Sequence, residues 1–180
     1  GRKLEEGDWS LAYCEAKQIP QAGWSNLHID VNHQGLGLEM KLLRVSSHLN
    51  GRPIKAVCGT SLMHPAATRS IRIDDVNADP NMVMLDVFRQ YAELIQIRTK
   101  KVRDDCPGCT PDMRIGWLLW EDNLSEFLYF EERMAPPDAA HFYAEWNDTG
   151  ARGARKSSRS LWIYEKVTNK KRYSVTTSAG

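Results

Sequence analysis

The alternation of apolar and polar positions changes character several times along the chain, and each change predicts an element. Residues 4–17 place Leu4, Leu11, Ala12, Tyr13 and Ala16 among acids, and Pro20 stops the helix expected there, since proline has no N–H to continue it. Over 26–31 the period is two, with Leu27, Ile29 and Val31 against Asn26, His28 and Asp30, as in a strand with one polar face. Asn32-His33-Gln34-Gly35 is turn material; beyond it Leu38, Met40 and Leu42 fall on one face of an extended segment, while Glu39 and Lys41 share the other. These two segments predict a β-hairpin.

After a turn at Asn50-Gly51-Arg52-Pro53 come short apolar pieces at 54–58 and 70–73. Residues 81–102 carry Val83, Leu85, Val87, Phe88, Tyr91, Leu94, Ile95 and Ile97 as a broad helical stripe, closed by Arg98, Lys100, Lys101 and Arg103 at the negative end of the helix dipole. An aromatic-rich hairpin is expected from 114–120 and 126–130, a short helix over 138–146 after Pro136-Pro137, and a last hairpin from 161–164 and 172–176. This order predicts an α/β (α+β) fold in which a central mixed β-sheet is flanked by helices.

The chain of 180 residues has the size of one domain, expected over 1–180, and is long enough to bury roughly 70% of its unfolded surface. No apolar run approaches the ~20 residues that span a bilayer, so a soluble protein with no membrane partner is expected. Cys14, Cys58, Cys106 and Cys109 are too sparse for a disulfide-stapled scaffold, and the expectation is a reduced, cytoplasmic protein, of prokaryotic type. Cys106-Pro107-Gly108-Cys109 has metal-ligand spacing, but a structural zinc normally needs a second close pair, and Cys14 and Cys58 are isolated.

A net charge of +1 hides an asymmetry. From Asp148 onward eight Lys or Arg face two acids; the first 147 residues hold 16 bases and 21 acids. A basic segment at about 147–173 beside an acidic body suits a phosphate-binding surface next to a carboxylate-held cation, and suits equally a solvated tail.

The chemistry concentrates between His28 and Leu43. Phosphodiester hydrolysis needs a hard divalent cation held by carboxylate oxygens, to neutralise the transition state and acidify a water. Asp30 on one strand and Glu39 on the next supply two such groups, and Lys41, two residues from Glu39, projects from the same face with its ammonium beside them. This arrangement over 5–44 resembles the PD-(D/E)XK nuclease superfamily, which includes most type II restriction endonucleases.

The resemblance implies a restriction-endonuclease-like fold and a magnesium-dependent endonuclease on double-stranded DNA. Asp30 and Glu39 would ligate Mg2+, Lys41 would position or activate water, and a helical glutamate, Glu15 in preference to Glu5 or Glu6, would assist. Ile29-Asp30 lacks the proline in the family's name. Acid-x-lysine triplets also arise by chance, and a charged face on a solvated hairpin would look the same, its Glu–Lys pair contributing only ~0.5 kcal/mol.

Base and phosphate contacts are expected from His64, Arg69 and Arg72, and from a glycine-rich segment holding Arg152, Arg155, Lys156 and Arg159, since arginine reads guanine bidentately and cations bind phosphate. A two-fold homodimer would let two sites cut both strands, although nothing in the sequence demands one. The rival readings are a non-catalytic DNA-binding or specificity module of a larger DNA-processing protein, and a protein-interaction domain using the aromatic hairpins.

Overall fold

The computed structural model describes residues 4–20, 29–44, 71–121, 124–151 and 157–176. The contacts divide the chain into two compact units, Gly1–Pro53 with Ile95–Met134, and Ile54–Leu94 with Ala135–Gly180.

The first unit begins with α1 (Glu6–Ala16). The Glu5 N–H donates to Asp8 Oδ2 at 3.1 Å and holds its start. At its end Gln18 turns left-handed (φ 56°) and the Ile19 N–H reaches back to the Cys14 carbonyl at 2.8 Å, so the helix stops before Pro20 rather than at it.

Strands β1 (Val31–His33) and β2 (Leu36–Arg44) then pair antiparallel across Gln34-Gly35, His33 opposite Leu36. Both turn residues have positive φ, 46° and 86°, the two-residue turn whose twist matches that of the flanking strands. Glycine is required at the second position. A Cβ on Gly35 would lie 2.9 Å from Cys109 Cβ and 3.1 Å from the Thr110 carbonyl oxygen. The turn is thus shorter than the four residues expected, and the described strand starts at Val31; residues 26–28 of the expected strand lie outside the described residues.

A long helix, α2 (Pro80–Asp105), precedes β3 (Asp112–Trp120), which runs parallel to β2 from Leu36 opposite Asp112 to Arg44 opposite Trp120. Parallel neighbours cannot be joined by a tight turn, and the intervening chain supplies the crossover. Strand β4 (Phe127–Arg133) closes the sheet antiparallel to β3, giving the order β1-β2-β3-β4. Tyr13 and Cys14 of α1 pack on Val31, Leu38 and Met40, joined by Trp9, Ile19, Leu36 and Tyr129. Val102 of α2 packs on the other face, where a Cβ on Gly37 would meet its Cγ2 at 2.8 Å. The expected mixed sheet with helices against it is therefore present.

In the second unit Asp79 caps α2, its Oδ1 accepting the N–H groups of Asn81 and Met82 at 2.9 and 3.0 Å, with Pro80 at the first helical position. Strands β5 (Phe142–Thr149), β6 (Ser158–Glu165) and β7 (Lys170–Thr176) form an antiparallel meander. Phe88 meets Phe142 and Tyr173 edge-on, with centroids 5.7 and 5.9 Å apart. The helix expected over 138–146 is absent. A 3-10 turn, Ala139–His141, leads into β5, because alternate residues such as Ala144 and Trp146 face Ile163 and Leu161 across the sheet and a helical period would break that match.

A half-buried carboxylate ties α1 to the sheet of the first unit. Glu131 Oε1 accepts the hydroxyls of Tyr129 (2.6 Å) and Tyr13 (3.2 Å), and Oε2 accepts Arg114 Nη1 (2.7 Å). Burial alone pushes this carboxyl up, but the hydrogen bonds from Tyr129 and Arg114 outweigh it and leave it below its ordinary value. Burial and the Glu131 charge together raise the Tyr13 and Tyr129 hydroxyls. A depressed carboxyl adds stability that is complete above the unfolded value of 4.5 and is lost as pH falls through the folded one. Glu131→Gln should therefore flatten the fall in Tm between pH 6 and pH 3; thermal denaturation of the two proteins across that range provides the check, and parallel curves would contradict it.

Candidate active site

Strand β2 is interior to the sheet and covered on both faces, so its alternation decides what is packed and what is charged. Leu38 and Met40, both with no exposed surface, point toward α1. Glu39 and Lys41 therefore point to the other face, as a period of two requires. Glu39 is only 7% exposed. A carboxylate so far out of water stays ionised only if cations or donors replace its hydration.

Two cations do so. Lys41 Nζ lies 2.9 Å from Glu39 Oε1, and Arg98 Nη2 lies 3.4 Å from Glu39 Oε2. Arg98 comes from α2, where Ile95, Arg98 and Val102 form one buried stripe at helical spacing. Its Nε and Nη1 are buried and have no hydrogen-bond partner among the described residues.

Asp30 reaches the same stretch of β2 by a different route. It stands in a bend just before β1, where continued register would set it opposite Glu39, and its Oδ2 accepts the Met40 N–H at 2.6 Å. The carboxylate thus takes over a ladder position where the strand itself has ended. The structure brings Asp30, Glu39 and Lys41 to one short segment of one strand, and adds Arg98.

Glu15 is not among them. It is exposed on α1, and α1 packs on the Leu38 and Met40 face, opposite the face that carries Glu39 and Lys41. Sequence proximity to the hairpin favoured it, but the sheet stands between. Arg98 was read as one of the bases at the helix's negative end. The signal available for it was its position three residues after Ile95 and four before Val102, on the apolar stripe rather than beside it.

Of the residues expected to contact DNA, His64, Arg69, Arg152, Arg155 and Lys156 lie outside the described residues. Arg72 is exposed, its backbone exchanging hydrogen bonds with the Gln90 side chain at 3.0 and 2.9 Å. Arg159 is already engaged: Nε donates to Asp148 Oδ1 at 2.9 Å, Nη1 to the Val76 carbonyl at 2.8 Å, and its guanidinium lies 5.3 Å over the Trp146 ring. Cys106 and Cys109, expected to be reduced, are joined in a disulfide across the turn after α2, their Cα atoms 5.5 Å apart, and Cys14 is free and buried.

Magnesium takes one or two protein carboxylates and completes its shell with water and phosphate oxygens, and the acids at this stretch of β2 are Asp30 and Glu39. Among the described residues no group of three or more His, Cys, Asp or Glu is clustered for a metal, so the two carboxylates have no third partner of that kind. No helix among the described residues is long and apolar enough to cross a membrane. No protein-family model, curated protein or solved structure matches the chain.

Removing Glu39 leaves the buried Arg98 and the partly buried Lys41 without their counter-ion. Glu39→Ala should cost ~3–5 kcal/mol of unfolding free energy in urea denaturation, the range for breaking a buried pair from one side. A loss under ~1 kcal/mol would mean that the pair behaves as an exposed one.

Proposed function

We propose that this chain is a magnesium-dependent endonuclease that hydrolyses phosphodiester bonds of double-stranded DNA, in the manner of a restriction enzyme. The observation that carries the reading is the buried Glu39 carboxylate with the Lys41 ammonium 2.9 Å away and Asp30 bound to the next backbone amide. The sheet order, with a parallel β2–β3 pair, supports it as a scaffold.

Asp30 and Glu39 would hold magnesium, which when bound supplies charge neutralisation at the scissile phosphate and lowers the pKa of the attacking water. Glu39 holds Lys41 in place, so that the side-chain nitrogen would orient the attacking oxygen and steady its negative charge. The Met40 N–H fixes the Asp30 carboxylate from one side. DNA would be held by Arg72, Arg152, Arg155 and Lys156. A two-fold dimer of this chain would place one such site on each strand.

The absence of a third clustered acid among the described residues favours the alternative, a DNA-binding or specificity module without catalysis. Magnesium separates the two, because such a module binds equally well in chelator and never nicks plasmid. Incubated with supercoiled plasmid and Mg2+, the chain should yield discrete fragments, and chelator should stop it. Lys41→Ala and Asp30→Ala should each lower the cleavage rate by at least ~100-fold while DNA affinity is retained. Cleavage at the unaltered rate in either variant would refute the mechanism.

A further inference from the structure

The Glu39 site holds two cations before any metal arrives, and they are held unequally. Lys41 is at 2.9 Å on one carboxylate oxygen, while Arg98 is at 3.4 Å on the other. Arg98 is 6% exposed, and two of its three nitrogens are buried without a hydrogen-bond partner among the described residues. A guanidinium is planar and delocalised and normally uses its fork of donors when it is buried. Here one loose contact to Glu39 holds a charge that is otherwise unmatched.

We infer that Arg98 is a resident counter-cation of Glu39, occupying the position a divalent ion needs, and that its displacement sets the metal affinity of the site. The inference rests on the nuclease reading above. Glu39 already faces two positive charges, Lys41 and Arg98, so a divalent cation brought to its carboxylate meets a surplus of positive charge. Moving Arg98 away lowers that surplus, and the two nitrogens without partners among the described residues give up no hydrogen bonds in the move. DNA phosphate supplies the remaining negative charge and a partner for the guanidinium. The free chain should therefore bind metal weakly, and binding should tighten when DNA is present. Arg98 is a positioning residue in this scheme, acting through Glu39 rather than on the reacting atoms.

The test is Mn2+ binding to the DNA-free protein, followed by calorimetry and by the electron-spin signal of free Mn2+. Arg98→Met keeps the apolar stem and removes the charge. It should tighten binding by about tenfold or more, because a unit charge within several ångströms of a dication outweighs that factor at an effective dielectric of about 20. Equal or weaker binding in the variant overturns the inference. In the unaltered protein, the Arg98 Nε–H nuclear resonance, assigned by its loss in Arg98→Lys, should move on Mg2+ titration with the same Kd as metal binding. A resonance that stays still while the metal binds also overturns it, whether or not Arg98→Met folds. The two readings fail differently: an unaltered chain that binds no Mn2+ even with duplex present sinks the nuclease itself. One that binds and cleaves, with Arg98→Met no tighter, sinks the role of Arg98 alone.

Discussion

A carboxylate buried in the middle of a sheet is the constraint around which the first unit is arranged. Glu39 lies on a strand whose neighbours and both faces are occupied, and nothing apolar can replace the water it has lost. Lys41 from the same strand and Arg98 from α2 supply the missing charge. The parallel β2–β3 pair belongs to the same solution, because it needs a crossover, and α2 lies within that crossover.

The two faces of β2 do different work. On one, Leu38 and Met40 form a dry contact with Tyr13 and Cys14 that fixes the strand against α1. On the other, Gly37 gives up its side chain so that Val102 and Met113 come within contact of the backbone, with Glu39 and Lys41 following directly. A rigid apolar face behind and a tightly approached helix in front leave the charged pair little freedom. Small freedom of that kind is what a site needs if it is to grip an ion or orient a reactant.

Two carboxylates of this unit, Glu131 and Glu39, have their oxygens satisfied in different ways. Glu131 is saturated: two tyrosine hydroxyls and an arginine fill its oxygens at hydrogen-bonding distances, and Arg114 is in turn held by Asp112. Such a network fixes a packing arrangement and leaves no reason to bind anything else. Glu39 is met by two cations, and the shortfall in hydrogen bonding falls on Arg98. Buried donors left without partners are uncommon in folded proteins, and this one adjoins the acid-x-lysine pair.

Much of the site was legible in the order of residues alone. The period of two put Glu39 and Lys41 on one face, and turn residues ending in Gly35 marked a hairpin, so those features are local, although the turn is two residues long rather than four. The long helix and the aromatic and C-terminal hairpins were legible for the same reason. What lay beyond reach was set by long-range pairing. The β5–β6–β7 meander needed Ala144 and Trp146 opposite β6, which converted an expected helix into β5. The packing of α1 on the Leu38 face removed Glu15 from the charged one, and the crossing of α2 turned Arg98 from a last-turn base into a partner of Glu39. Periodicity states which side chains share a face; only the tertiary structure decides what each face meets, because that depends on contacts between residues far apart in the chain.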